Sequence, residues 1–249
     1  MTIDVFFWIL GSVVVVSLIS LVGIIAMRLG GAQRESVVRI LVAFAAGALL
    51  AAAFVHLIPE AIEGAAEGAY FAVLGGIMLF FLLEEFIFWH HCHKEECEVK
   101  PVGYLNVIGD GVHNFIDGVL IASAYLVNVN LGVITTLGVI SHEIPQELGD
   151  FGILIHSGFS TKKALFYNFI SASTAILGAL IGYFCFSAVK EYIPLAVGVA
   201  AGGFLYIAVA DLLPELHGER NTKKMISQTL AVFFGIMLIF VLGLLMPEA

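Results

Sequence analysis

Eight long apolar segments constrain the fold of this chain more than any other feature of its sequence. Each is long enough to cross a bilayer, since a spanning helix needs about 20 mainly apolar residues. The segments cover residues 4–27, 37–58, 68–89, 103–127, 131–155, 163–189, 192–215 and 225–247. The breaks between them are short and polar. We therefore predict an all-α integral membrane protein whose eight transmembrane helices form a single domain over residues 1–249.

The charge content agrees with a chain that lies mostly in lipid. Asp, Glu, Lys and Arg make up 12% of the residues, whereas a soluble domain carries about 25%. The mean hydropathy is +1.03. The basic residues are scattered, which argues against nucleic-acid binding, and Cys92, Cys97 and Cys185 do not form a disulfide framework. The bilayer is therefore the predicted environment, and no organic cofactor is expected.

The basic residues also predict the orientation. If the N-terminus lies outside, all of the 11 Lys and Arg residues except Lys190 fall on the cytoplasmic side. Cytoplasmic loops of membrane proteins carry an excess of Lys and Arg. Both termini are therefore predicted to be extracytoplasmic, and we expect the plasma (inner) membrane of a prokaryote.

An internal repeat relates the second and seventh segments. Residues 45–61 read AAGALLAAAFVHLIPEA and residues 200–216 read AAGGFLYIAVADLLPEL, without a gap. The two helices would run in opposite directions, as in transporters built from inverted repeats. We predict a 3+2+3 arrangement in which helices 1–3 mirror helices 6–8. The pathway would then have His56 and Glu60 at its outer mouth and Asp211 and Glu215 at its inner mouth.

Polar residues form a stripe on each of the two central helices. Those of the fourth helix are Asn106, Asp110, His113, Asn114 and Asp117, and those of the fifth are His142, Glu143, Gln146, Glu147 and Asp150. Steps of three and four residues place each set on one helix face. The short connection at 127–131 makes the helices neighbours, so we expect the two stripes to meet near the bilayer midplane.

The stripes contain five acids and no basic partner. No Lys or Arg occurs between Lys100 and Lys162. A charge in the centre of a membrane costs about 2.5–3.5 kcal/mol on insertion scales. The missing positive charge must therefore come from protons or from bound cations. A structural polar network is the simpler alternative, but ten polar residues on two facing stripes argue against it.

The side chains present narrow the choice of cation. Imidazole mixed with carboxylate and amide suits Zn²⁺, Fe²⁺, Mn²⁺ or Cd²⁺, whereas copper(I) favours sulfur and magnesium favours oxygen alone. His113 with Asp117, and His142 with Gln146, could each chelate one ion from adjacent turns. Asn114, Glu143 and Glu147 each follow one of these ligands by one residue, so they lie further round the helix and leave room for a second, neighbouring ion. We expect Asp110 and Asp150 to line the pathway.

At these residues the sequence resembles the ZIP family of zinc- and iron-type metal transporters. The match is to HNFIDG (113–118) and HEIPQELGD (142–150), and it is nearest to the branch with a His-Glu-x-Pro-His-Glu-x-Gly-Asp fifth helix. The resemblance implies import of a divalent metal, foremost zinc, into the cytosol, and a homodimer. It also implies a two-metal site formed by His113, Asn114, Asp117, His142, Glu143 and Gln146.

Gln146 departs from this pattern, because that branch has His at this position and other members have a carboxylate. An amide is a weaker ligand and cannot bridge two ions as a carboxylate does. One midplane metal is therefore better supported than two.

The predicted cytoplasmic loop (about 90–102) is rich in metal-binding side chains. It contains His90, His91, Cys92 and His93. These could bind or sense metal on the inner side, or they could be incidental in a solvated loop.

Two other functions remain open. An intramembrane metallohydrolase could use His142 and Glu143, because His-Glu-x-x-Gln nearly matches the His-Glu-x-x-His zinc-protease motif. The second His of that motif is absent, and the inverted repeat fits transport better. A metal-sensing or scaffold protein without flux is the other alternative.

Overall fold

The computed structural model describes residues 3–23, 31–91, 100–189, 191–217 and 221–245. Within these ranges the backbone is helical apart from short breaks, and it contains no strand. The predicted all-α class is confirmed.

Eight helical stretches follow one another in these ranges. The first four are α1 (Ile3–Ile19), α2 (Gly31–Ala51, Ala52–Leu57 and Ile58–Ala65), α3 (Glu67–His91) and α4 (Pro101–Val127). The last four are α5 (Val129–His156), α6 (Thr161–Ala172 and Thr174–Val189), α7 (Ile193–Tyr206, Ile207–Leu212 and Leu213–Leu216) and α8 (Thr222–Leu245).

Six of the stretches in the described ranges are long and apolar enough to cross a membrane. They are Val5–Gly23, Ser36–Ala65, Glu67–Phe86, Thr161–Cys185, Ile193–Leu216 and Thr222–Leu244. The other two, α4 and α5, carry the polar stripes, which lowers their hydropathy. They lie inside the bundle, where α4 packs against α5 and α6, and α5 packs against α1 and α2.

The second helix extends further than its apolar segment predicts. Residues 37–58 were expected to form it, but the helix continues to Ala65. A proline ring normally clashes with the carbonyl one turn earlier and ends or bends a helix. Here a π-helical turn, Ala52–Leu57, precedes Pro59 and widens the helix at that point. The chain turns instead at Ala66, whose φ is +49°.

The two repeated segments share this local structure. A π-helical turn at Ile207–Leu212 precedes Pro214 in α7, in the same register as the turn in α2. His56 and Asp211, which the repeat pairs, occupy the fifth position of their respective π turns. The repeat in sequence is therefore also a repeat in backbone geometry.

Corresponding glycines bring each repeated helix against a partner. A Cβ on Gly47 would lie 2.1 Å from the carbonyl oxygen of Val232 in α8. A Cβ on Gly202, the equivalent position in α7, would lie 2.1 Å from the carbonyl oxygen of Val73 in α3. Small residues allow this close approach of helix backbones in membranes. The pair α2–α8 is thus packed in the same way as the pair α7–α3.

The partner helices α8 and α3 also contact the repeated helices through glycines of their own. A Cβ on Gly235 of α8 would lie 2.3 Å from the carbonyl oxygen of Phe44, and one on Gly76 of α3 would lie 2.2 Å from that of Val199. Residues 44 and 199 correspond in the register of the repeat. Each helix pair is therefore joined by two reciprocal glycine contacts.

Adjacent glycines in α3 provide a test of this packing. Gly76 meets Val199, whereas a Cβ on its neighbour Gly75 would find nothing within 4 Å. We expect Gly76→Ala to lower the stability of the purified protein by about 1–3 kcal/mol, the usual cost of overpacking. Gly75→Ala should be neutral or stabilising, because alanine favours helix by about 1 kcal/mol. Thermal unfolding in detergent measures both, and equal midpoints for the two variants would contradict the close contact.

Candidate metal site

The polar stripes of α4 and α5 meet in the interior of the bundle. His113 and Asp117 lie one turn apart on α4, and His142 and Glu143 are consecutive on α5. One ligand atom from each of the four lies within 4.8 Å of the others. The structure therefore brings together two imidazoles and two carboxylates from neighbouring helices.

The contacts within this group run from each imidazole to both carboxylates. His113 Nε2 lies 3.5 Å from Asp117 Oδ2 and 3.5 Å from Glu143 Oε1. His142 Nε2 lies 3.3 Å from Asp117 Oδ2 and 3.8 Å from Glu143 Oε1. Zinc binds such atoms at about 2.0–2.2 Å, so two ligands of a tetrahedral zinc are about 3.4 Å apart. The four separations in the structure, 3.3–3.8 Å, are close to that value.

The site is buried, and several of its polar atoms lack a partner. Glu143 is 0% exposed and His113 is 4% exposed. Both ring nitrogens of His113 and both carboxylate oxygens of Glu143 have no hydrogen-bond partner in the part of the chain that the structure describes. Leaving a buried polar atom unpaired costs about 1–3 kcal/mol. Atoms left free in this way are suited to binding an ion.

A cleft leads to the site from the part of α2 that carries His56 and Glu60. It is lined by His56, Glu60, His113, Asp117, His142 and Gln146, together with apolar side chains. Its wall includes Leu57, which belongs to the π turn of α2. His56 and Glu60, expected at one mouth of the pathway, thus share a cavity with the metal-binding group.

The remaining predicted ligands lie beside this group. Asn114 Nδ2 donates to Asp110 Oδ1 at 2.9 Å, while its own Oδ1 has no hydrogen-bond partner among the described residues. Gln146 lines the cleft and its Nε2 donates to Asp110 Oδ1 at 3.4 Å. Glu147 does not join the two histidines. It lies in a second group with Asp110 and Glu143.

Asp211 and Glu215, which were expected at the inner mouth of the pathway, do not line this cleft. Glu215 Oε1 lies 3.0 Å from Lys100 Nζ and 3.2 Å from His156 Nε2. This contact joins the last turn of α7 to the start of α4 and the end of α5. Asp211 and Asp150 each have one buried carboxylate oxygen without a hydrogen-bond partner in the described ranges, and neither lines the cleft.

Part of the predicted histidine-rich loop falls outside the described residues. Cys92 and His93 are among the residues that the structure does not describe. His90 and His91 belong to the end of α3, which places the helix end later than the predicted residue 89. The proposed metal binding by this loop stays a prediction.

Two contacts of the site were not predicted from the sequence. Asn168 of α6 donates its side-chain amide to Glu147 Oε2 and, at 3.3 Å, to the backbone oxygen of Glu147. The ring of Phe204 in α7 lies 5.2 Å from the ring of His113. The sequence signal available for Asn168 was a side-chain amide within an apolar segment that was predicted to cross the membrane. No sequence signal singled out Phe204, since aromatic residues are common throughout the chain.

Comparison with known proteins relates the chain to the same family that its motifs resemble. The family model described as ZIP Zinc transporter matches residues 5–98 and 89–243. The Zinc transporter ZIP13 homolog of Drosophila melanogaster is 29% identical over 279 residues, covering 85% of this chain and 79% of that protein. Zinc transporter ZIP13 of Pongo abelii is 33% identical over 220 residues, covering 82% and 66%.

Human Zinc transporter ZIP10 is 36% identical over 182 residues, which cover 63% of this chain. The chain spans only about a fifth, 21%, of the length of that relative. All three relatives are named as transporters. The metallohydrolase alternative is therefore not favoured.

Gln146 provides a test of the ligand set. Its side chain reaches the cleft, so Gln146→His would add a third imidazole beside His113 and His142. Imidazole favours zinc over manganese more strongly than an amide does. We expect the variant to bind zinc at least about tenfold more tightly relative to manganese, the order of effect seen when a metal site gains or loses a partner. Competition between the two ions for purified protein measures this ratio.

Gln228→His is the matched control, because Gln228 is also buried but lies on α8, away from the cleft lining. It should leave the ratio unchanged. An unchanged ratio in Gln146→His as well would show that residue 146 does not contact the ion.

Proposed function

We propose that this chain, which belongs to the ZIP zinc transporter family, carries zinc ions across a membrane through the group formed by His113, Asp117, His142 and Glu143. The observation that carries the proposal is the convergence of four ligand atoms, at separations that fit one zinc ion, in a helix pair without Lys or Arg. The ion would supply the positive charge that these carboxylates lack.

The composition of the group supports a transported ion and not a permanently bound one. Two imidazoles and two carboxylates suit Zn²⁺ and can also accept Fe²⁺, Mn²⁺ or Cd²⁺. None of the four ligands is a thiolate, which would hold zinc more tightly. Conduction requires a site that binds well enough to select an ion and weakly enough to release it. We propose zinc as the main substrate and the other three ions as competitors.

The proposed direction of transport, into the cytosol, is the one that the family resemblance implies, and the distribution of basic residues supplies only the proposed orientation. With both termini extracytoplasmic, the cleft at His56 and Glu60 opens to the outside, and Glu215 lies near the cytoplasm. Zinc would therefore enter at the cleft and leave on the cytoplasmic side. A prokaryotic plasma membrane stays a prediction, since the relatives named above come from animals. A homodimer is also proposed, on the family resemblance alone.

Alternating access between two mouths is the proposed mechanism. In this proposal all eight helical stretches cross the membrane in a 3+2+3 arrangement, with α1–α3 and α6–α8 as inverted repeats. The matched π turns and the matched glycine contacts of α2–α8 and α7–α3 support this arrangement. Two equivalent units packed around a fixed pair of helices can rock so that first one mouth and then the other is open.

The two ends of the pathway differ, as an outward-open state requires. The cleft connects His56 and Glu60 with His113. At the opposite end, the contacts of Glu215 with Lys100 and His156 tie α7 to α4 and α5. Each contact is partly exposed, so the pair contributes at most about 1 kcal/mol. That strength is low enough for the inner mouth to open during each transport cycle.

Zinc influx into proteoliposomes tests the proposal. We expect wild-type protein to accumulate zinc, and His113→Ala to reduce the initial rate by about tenfold or more, because one of the two imidazole ligands is lost. His217→Ala is the control, since that imidazole is exposed at the end of α7. It should transport zinc at the wild-type rate.

Folded wild-type protein that binds zinc but moves none of the four ions would overturn transport. It would favour the alternative of a metal-sensing protein without flux. Equal rates for wild type and His113→Ala would show that transport does not pass through this site.

A further inference from the structure

The imidazole of His56 lies against a glycine of α8 beside the cleft. His56 Nε2 lies 3.5 Å from the backbone oxygen of Ile239. One turn further along α8, a Cβ on Gly243 would lie 2.5 Å from Cε1 and 2.8 Å from Nε2 of the same ring. A side chain at residue 243 would therefore occupy the space that the ring now fills. The ring rests on a part of α8 that only glycine leaves open.

The same imidazole borders the path to the metal site. His56 and Ile239 line the cleft together with His113 and His142, so the ring has α8 on one side and the cleft on another. The π turn Ala52–Leu57 determines where the ring starts from, since His56 is its fifth residue. The place of the ring thus depends on the backbone of α2 and on the space that α8 leaves for it.

A methyl group at residue 243 would displace this ring and not a helix. The atoms that it would meet are the far end of the His56 side chain, which can rotate about its two side-chain bonds. The contact of Gly235, two turns earlier in α8, is of another kind. There a Cβ would lie 2.3 Å from the backbone oxygen of Phe44, and a backbone cannot turn aside. Alanine would therefore move a ring at residue 243 and loosen helix packing at residue 235.

The other half of the repeat has a different residue at the equivalent position. The register of the glycine contacts in α2–α8 and α7–α3 pairs residue 243 with Glu84 of α3. Glu84 accepts a hydrogen bond from the hydroxyl group of Tyr206 in α7. Asp211, the equivalent of His56, does not line the cleft. The cleft therefore reaches the half of the repeat that has glycine at this position.

We propose that Gly243 is a positioning residue for transport, which holds the His56 imidazole against α8 and so keeps the cleft open. The inference rests on the proposed function, because it concerns the path by which an ion reaches His113. A ring that is displaced from α8 moves into the space beside it, which is the cleft, and narrows that path. Gly243 does not contact the ion and acts only through the ring.

A narrower path changes the rates of zinc binding and leaves the affinity unchanged. The four ligands of the metal site are the same with glycine or alanine at residue 243. An ion passes the ring of His56 when it enters and again when it leaves, so association and dissociation slow by the same factor. If the ring leaves the path open about one tenth of the time, both rates fall about tenfold. A general loss of packing would lower the affinity or the stability instead.

Zinc exchange with purified full-length protein in nanodiscs tests the proposal. Stopped-flow mixing with a fluorescent zinc indicator gives the two rates, and an equilibrium titration gives the affinity. We expect Gly243→Ala to lower both rates by about tenfold at unchanged affinity. His56→Ala removes the ring, so the double variant should exchange zinc at the rates of His56→Ala alone. Gly75→Ala is the control, since its Cβ would meet nothing within 4 Å, and it should exchange zinc as wild type does.

Thermal unfolding of the same variants tests the contact between the ring and the glycine. Alanine favours helix over glycine, so Gly243→Ala should raise the unfolding midpoint in the His56→Ala background, where no ring is displaced. In protein that contains His56, displacement of the ring should offset that gain. Gly235→Ala should lower the midpoint equally in both backgrounds, because its Cβ would meet the backbone of α2.

Three results would overturn the inference. They are wild-type exchange rates in Gly243→Ala, an equal slowing by Gly243→Ala in the His56→Ala background, and an equal shift of the unfolding midpoint in both backgrounds. If Gly243→Ala binds no zinc, the double variant decides, since removal of the ring should restore binding and a continued loss would contradict the proposal. Wild type that moves no zinc into proteoliposomes would overturn transport but not the unfolding comparison, so the two failures can be told apart.

Discussion

The structure depends on one electrostatic constraint: a pair of buried helices holds five acids and neither Lys nor Arg. These are Asp110, Asp117, Glu143, Glu147 and Asp150. Each would cost about 2.5–3.5 kcal/mol as an isolated charge in the membrane. A buried charge that is left without a partner is strongly destabilising. The amides of Asn114, Gln146 and Asn168 satisfy only some of the oxygens. In the proposed function, bound cations complete the charge balance, and exchange of those cations is what transport requires.

The other helices of the bundle hold α4 and α5 in place, and α2 lines a cleft that reaches the histidines between them. Glycine contacts bring α8 against α2 and α3 against α7, which leaves the two repeated helices free to face α4 and α5. The π turns then accommodate Pro59 and Pro214 without ending either helix. In α2 this turn carries His56 into the cleft. The same local geometry in α7 places Asp211 at the equivalent position, although the cleft does not reach it. The repeated segments therefore differ in access while they share backbone structure.

Much of the site could be predicted from the sequence because the information is local. Steps of three and four residues put His113 and Asp117 on one face, and the short connection to α5 makes the helices neighbours. The later end of α2 was missed, because Pro59 normally signals a helix end and only the π turn removes that effect. The grouping of Glu147 with Asp110 could not be predicted. Helix periodicity indicates which way a side chain points, but it does not indicate which residue of another helix that side chain contacts. Asn168 contacts Glu147 across 21 residues of sequence, and no local pattern specifies such a contact.

The most direct test of the cation constraint is an anomalous difference map at the zinc edge, from crystals of the protein grown with Zn²⁺. We expect a zinc peak bounded by His113, Asp117, His142 and Glu143, with metal–ligand distances of about 2.0–2.2 Å. A map in which these side chains are well ordered and zinc is bound elsewhere, with no peak between the two histidines, would contradict it.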